Sequence, residues 1–443
     1  VVGARVRTLD PARPRASAVA VRDGVLVAVG ADDEVRRCCG PATEVVDGRG
    51  MTLVPGLVDA HCHPFWGARA ARDVDLTDAG DLPEALALLA AAAAGRDGRG
   101  WVVGHGLRRA WFGGEPRAAV LEAALGGRPG FITFRDGHGA LATGAALRAA
   151  GVTGAERFAD GSRVVRDARG VPTGELREPS AMEAVRAHIP APPPARRRDR
   201  YAARLAEMAA MGLTGAHAMD DHPDDAGDLA ALDREGRLPV RVLLHVWMRP
   251  AMDDDAVADA IRRARSGGGT RWRSGAAKFF LDGVVSSGTA WLRDPDARGE
   301  GLHPFWPDPD RYRRVVGRCA AAGLSCATHA IGDAAVRWAL DTYAAAPPGP
   351  SPGPWTPRHR IEHAELADPA DVARFGPLGV TASMQPLHCA GVDPAGGDDW
   401  SARLGPARAA RGWPAASLRG AGARLALGSD WPVSPAGPLL GMA

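Results

Sequence analysis

The chain has 443 residues, with 54 Lys+Arg against 52 Asp+Glu and a hydrophobic content of 46%. That length exceeds one ordinary core and predicts a large globular domain with a smaller companion. A net charge of +2 offers no electrostatic ground for a nucleic-acid or membrane partner, which leaves a small-molecule substrate as the expected ligand. The six cysteines form no CxxC pair or regular framework, which indicates a reducing compartment. The longest apolar run, residues 84–95, is short and alanine-rich, and no signal-peptide pattern opens the chain; the expectation is a cytoplasmic protein.

In chain order, residues 1–54 alternate β-rich runs ("ARVRTLD", "ASAVAVRDG", "VLVAVG", "EVVDGRG") with turn signals. They predict a small antiparallel sheet, part of a small β-domain. Residues 55–65 hold an apolar run ending in "DAHCH", the first strand of a larger domain. Seven more apolar runs, each ending in polar or ionisable residues, follow at 212–220, 240–248, 276–283, 324–333, 358–365, 379–388 and 424–432. Alanine- and arginine-rich stretches of helical period separate most of them. Eight buried strands alternating with helices predict an α/β fold, a (β/α)8 TIM barrel, whose active site lies at the C-terminal strand ends. The interval 66–200 is too long for one connection and carries its own strand patterns, "WVVGHGL" and "FITFRDGHG". It is expected to be an insertion after strand one, folded as a lid, with "HIPAPPPAR" as its exit linker. Residues 201–443 supply the rest of the barrel, with "AAAPPGPSPGPWTPR" (344–358) as a surface loop. The chain opens without Met and stops at "GPLLGMA", where a helix begins, so a barrel truncated after strand eight is expected.

In "DAHCH" the strand period of two sends His61 and His63 to one face and Cys62 to the other, where a small buried side chain is expected. His329 ends "LSCATH", His363 ends "RHRIEH" and Asp430 ends "LALGSD". Lys278, in "GAAKFFLDG", is the chain's only lysine. Barrel closure would bring these six residues to one rim. Imidazoles with a carboxylate suit Zn²⁺, with Mn²⁺, Fe²⁺ or Co²⁺ as substitutes. An ordinary ion pair of Lys278 with Asp282 is the competing explanation of the lysine, although arginine would serve there equally well. Secondary candidates are His138 and Glu178 in the insertion, His217 and His388 at the ends of strands two and seven, and an aromatic wall of Trp66, Trp247 and Trp291. "GHGLRRAWFGG" fails the dinucleotide-loop spacing at Arg109, and no GxSxG elbow supports a serine hydrolase.

"PGLVDAHCH", "KFFLDGVVSSGTAWL", "HAIGDAAV", "RIEHAEL" and "LGSDWPVSP", in this order across nearly the whole chain, resemble the amidohydrolase superfamily, in the branch containing N-substituted formamide deformylase. The resemblance implies a (β/α)8 barrel with a small composite β-sandwich built from both chain ends, the C-terminal half of which is missing from this sequence. It also implies that His61 and His63 bind the more buried of two metals and that His329 and His363 bind the second. Lys278, as an N-carboxylated lysine, would bridge the two. Asp430 would ligate the first metal and carry the catalytic proton, and His138 would lie on the substrate side. The family often has Asn five residues after that His, where this chain has Thr143.

The implied activity is hydrolysis of a C–N bond in a small amide-like molecule. Alternatives are hydrolysis of a cyclic amide, carbamate or ester, a metal-dependent decarboxylation or isomerisation, a mononuclear site with unmodified Lys278, and an inactive truncated fragment. Surfaces left bare by the truncation would be covered by a partner subunit or by residues outside this sequence, so a homo-oligomer is one expected state.

Overall fold

Eight of the apolar runs pair side by side as parallel strands: Leu57–Cys62, Leu213–Ala218, Arg241–Trp247, Trp272–Phe280, Ser325–Ala330, Arg360–His363, Thr381–Met384 and Arg424–Leu427, called strands one to eight. The computed structural model describes residues 1–70, 74–95, 100–220, 222–347, 358–393 and 397–443. Most of the expected loop 344–358 therefore lies outside the described residues. Spatial order follows sequence order from strand eight back to strand one, as right-handed βαβ crossovers produce.

Register sets the rim: Lys278 pairs with Ala327, Phe280 with His329, and Ala330 with His363. The barrel closes at this end, where Asp430 N donates to His61 O at 2.7 Å and His63 N to Trp431 O at 2.8 Å. Gly428 makes this approach possible, because a Cβ there would stand 2.5 Å from the His61 nitrogen. Strand alternation divides the polar interior from the helix layer. Ile361 joins the core with Phe279, Cys319, Val336 and Leu340, while its neighbours Arg360 and Glu362 are buried polar groups.

The insertion folds as a six-stranded mixed sheet in the order Arg163–Arg166, Pro172–Arg177, Gly139–Ala142, Gly130–Phe134, Val102–Leu107 and Val74–Asp75. It is preceded by a helix, Pro64–Ala70, and belongs to one compact unit with the barrel, Val58–Ala443. The expected boundary at residue 200 falls inside a 17-residue helix, Pro194–Ala210. The proline run taken as a linker supplies that helix's first turn, where a missing N–H costs nothing.

Residues Val1–Leu57 form the other unit. A hairpin, Ala18–Arg22 with Val25–Gly30, accompanies a sheet in which Arg5–Arg7 lies between Arg15–Ala16 and Thr52–Leu53. The pairing with Thr52–Leu53 is parallel, a correction to the all-antiparallel expectation. The hairpin and the helix Asp32–Arg36 lie between the two strands and make the crossover that parallel pairing requires. "EVVDGRG" forms no strand: Asp47 makes an isolated parallel bridge with Val2, and its carboxylate then takes the Arg49 N–H and guanidinium in a local turn. Among the described residues, no helix is long and apolar enough to cross a membrane.

Candidate metal centre

His61 and His63 meet Asp430 at the rim, each Nε2 lying 3.3 Å from Asp430 Oδ1. The His61 Nδ1 is 2.6 Å from Glu362 Oε2 and donates to it, which turns Nε2 towards Asp430. The His363 ring centroid lies 4.8 Å from that of His61 and 4.4 Å from that of His329. His329 Nε2 donates to Gly283 O at 3.1 Å, which leaves Nδ1 as its free lone pair. Burial, above all, lowers the pKa of His63 to about 4, and burial pulls His329 and His363 well below the usual imidazole value. All three are neutral at pH 7, the form that ligates metal. Burial alone would raise the Asp430 carboxyl, but the facing His61 outweighs it and holds the group well below the ordinary carboxylate range.

Lys278 is fully buried, and its Nζ has no hydrogen-bond partner among the described residues. Its neighbour is the Phe280 ring, with the centroid 4.6 Å from Nζ. Desolvation lowers its pKa to about 8, so an appreciable fraction of the amine is neutral near pH 7. The alternative ion pair with Asp282 does not form. The Asp282 carboxylate is engaged by the backbone N–H groups of Trp291, Ile331 and Gly332 at 2.8–3.3 Å, and burial raises its pKa to about 8. His363, Ala364 and Asp430 all adopt positive φ (72°, 46° and 55°), a left-handed conformation that non-glycine residues keep where surrounding contacts hold them.

The model of the amidohydrolase family matches residues 44–443. This chain belongs to the amidohydrolase family, in its type 3 branch. Protein LONG AFTER FAR-RED 3 of Arabidopsis thaliana is 29% identical over 99% of this chain and 76% of its own length. N-substituted formamide deformylase of Arthrobacter pascens is 26% identical over 99% of this chain and 81% of its own. An uncharacterized metal-dependent hydrolase from Pyrococcus horikoshii superposes with a TM-score of 0.74 at 23% identity, over 99% of this chain and 84% of that one, which shows the shared barrel fold. Membership carries metal-dependent hydrolysis as the general chemistry and implies a divalent metal.

The donors of this amidohydrolase fit such an ion. His61, His63 and Asp430 offer ligand atoms within 4.8 Å of one another, and a second group, His363, Glu365 and His388, does the same. Orphaned buried atoms, Lys278 Nζ and His363 Nδ1, lie in the same neighbourhood. Two supporting residues escaped the sequence reading. Glu362 is held by the Arg360 guanidinium, which also donates to Ala60 O, Ser383 Oγ and His217 Nδ1. Burial would raise the Glu362 carboxyl, but Arg360 keeps it well below its usual range, a permanent anion behind His61. The signal was present in "RHRIEH", where two charges alternate with an apolar residue on a strand.

The insertion delivers His138 to the rim, with its ring 5.1 Å from that of His329 and its Nδ1 2.8 Å from Glu178 Oε2. Burial opposes the charged imidazole, yet Glu178 raises the His138 pKa above its ordinary value. Glu178, the residue before the helix Pro179–Arg186, is buried at φ 71°, and its other oxygen accepts from Thr289. His388 stacks on His363 in a short turn after strand seven, Pro386–Gly391, rather than ending the strand. Its Nε2 is 3.6 Å from Asp430 Oδ2, and carboxylates on both sides keep its pKa raised against the effect of burial. His217 serves the Arg360 network inside the barrel, with burial lowering its pKa to about 3. Trp66 lies edge-on to His63 at 5.7 Å, and Trp247 tilts against Phe280 at 4.7 Å. Trp291 meets Trp338 in the helix layer instead. Cys62 is buried, as its outward strand position predicts. Thr143 caps the helix Gly144–Ala150 by accepting from Ala146 N, so it is committed to local structure.

Proposed function

We propose that this amidohydrolase cleaves a C–N bond in a small amide, of the N-substituted formamide kind, with two divalent ions held by His61, His63, His329, His363 and Asp430. N-carboxylated Lys278 would serve as their shared ligand, and zinc is the ion this donor set suits best. When bound, such ions lower the pKa of water and polarise a carbonyl. The observation that carries this reading is the fully buried Lys278 amine, without a hydrogen-bond partner among the described residues, beside imidazoles and a carboxylate. Its depressed pKa supplies the neutral amine that takes up CO₂, which a guanidinium cannot do.

Asp430 remains ionised and accepts the proton released as water adds to the carbonyl, then returns it to the departing nitrogen. His138, held through Nδ1 by Glu178, offers its other ring nitrogen as a hydrogen-bond donor to the oxygen on which negative charge grows. Glu362 fixes the His61 tautomer and leaves Nε2 for ligation. The named activity of the Arthrobacter relative supports the substrate class.

The test offers N-alkyl and N-aryl formamides to the metal-loaded protein and measures formate and amine. Equal release of both, abolished by a chelator and restored by Zn²⁺, is the expected result. Turnover confined to cyclic amides, carbamates or esters, or release of CO₂ instead, would replace this substrate assignment.

A further inference from the structure

A hollow of about 70 Å³ lies between the insertion and the ends of strands three and four. Pro179 stands on its insertion side, and Trp247, Pro250, Phe280 and Phe305 on its barrel side. Phe280 ties it to the metal centre. The same ring stacks on His329, with centroids 4.6 Å apart at 23°, and its centroid is 6.0 Å from that of His138. Pro179 directly follows Glu178, the carboxylate that holds His138. A carbonyl held beside His138 therefore has this wall next to it.

The surface offered there is hydrocarbon. Trp247 and Phe280 are half-buried, so their rings keep accessible faces instead of ending inside the core. The one polar atom of the Trp247 side chain, Nε1, donates to Met219 O at 2.9 Å. Polar residues of the lining are engaged with their neighbours. Ser180 Oγ donates to Asp160 Oδ2 at 2.6 Å, and Asp160 Oδ1 accepts the Ser162 N–H at 3.1 Å. The Arg249 guanidinium lies over the Trp247 ring, its carbon 4.9 Å from the centroid. An incoming group gains by burying apolar area and finds little reward for a charge. Size sets the limit. A cavity of ~150 Å³ admits benzene, so half that volume suits an alkyl group of roughly two to four carbons and leaves a ring outside.

We propose that this hollow is the specificity pocket for the substituent on the substrate nitrogen, that it takes a short alkyl chain, and that Trp247 and Phe280 set that choice. The proposal rests on the C–N hydrolysis reading for where the substrate lies, and adds which substituent it carries.

N-hydroxyformamides bearing methyl, n-propyl or benzyl on nitrogen are the probes. They chelate a metal through two oxygens, present the substituent as a formamide does, and are read by binding instead of turnover. In isothermal titration of the Zn²⁺-loaded full chain, propyl is expected to bind at least tenfold tighter than methyl, from two methylenes at about fourfold each. Benzyl is expected to bind no tighter than methyl. Ala251→Phe, at an exposed position on the edge of the hollow, should cut the propyl-over-methyl ratio to about twofold or less. Trp247→Ala should let benzyl bind at least tenfold tighter than it binds the wild-type chain; if that variant loses cooperative melting, Ala251→Phe decides. Equal affinities for methyl and propyl, absent binding of both included, would overturn the proposal. So would benzyl binding tightest to the wild-type chain, or a propyl preference untouched by Ala251→Phe. A propyl preference that Ala251→Phe abolishes, in a protein that releases no formate from any formamide, would uphold the pocket and remove only the formamide assignment.

Discussion

Arginine and lysine carry the same charge, and at Lys278 only the difference between them matters. A buried ammonium with no hydrogen-bond partner among the described residues is expensive, and desolvation lowers the Lys278 pKa to about 8, against the pull of Glu362 and Asp430, so that part of the amine is neutral. Lys278→Arg would leave a permanent cation among the imidazoles. We expect it to lose at least one metal equivalent by elemental analysis and to lower turnover by two orders of magnitude or more. Intact mass of the wild-type chain should show roughly +44 Da for the carbamate; a two-metal protein with an unmodified lysine would remove it from the assignment. Glu362→Gln tests the support behind His61. The amide keeps the shape but removes the anion, and metal affinity should fall about 10–100-fold in a competition titration while the fold survives. Unchanged affinity would make Glu362 a mere partner of Arg360. Both charged residues were visible as an alternating pair in the sequence. Their connection to His61 was not, because it spans 301 residues between strands six and one.

Element ends, more than element interiors, build this site. Strand patterns identified all eight barrel runs, since burial on both faces leaves short apolar segments that read clearly. Where each run stops depends on the backbone turning left-handed at His363 and Asp430, and residue type did not signal those turns. The turn after strand eight also depends on space. Gly67, inside the helix Pro64–Ala70, faces the Trp431 indole so closely that an added Cβ would overlap the ring at 1.9 Å. Helix propensity favours Gly→Ala by up to ~1 kcal/mol, but relief of that overlap must move an indole or a helix at a cost of about 1–3 kcal/mol. Gly67→Ala should therefore destabilise the protein in a denaturant melt and weaken metal binding through Asp430. Gly227→Ala, in the helix Asp225–Arg234 with nothing within 4 Å of its Cβ, is the control, expected to be neutral or stabilising. Equal behaviour of the two variants would show that the Trp431 contact is soft.

For the molecule as a whole, a metal shared by strands one, five, six and eight would bind the folded chain and not the unfolded one. Free ion at a thousandfold its dissociation constant then adds about 4 kcal/mol of stability. Removing it with a chelator should lower the melting temperature in calorimetry, and restoring Zn²⁺ should recover it; a melting temperature indifferent to both would separate the metal from the fold. The amino-acid sequence by itself determined the strand count, the alternation with helices and the residue types that end each strand, because these are local periodicities. It also singled out Lys278, since one lysine among 54 basic residues is a compositional fact. Tertiary structure decided which of these residues meet. It set His138 from the insertion beside His329, turned Trp291 into the helix layer and drew His217 into the Arg360 network. The physical reason is that side-chain direction at a rim is fixed by strand register and barrel closure. Both arise from pairings between segments far apart in the chain.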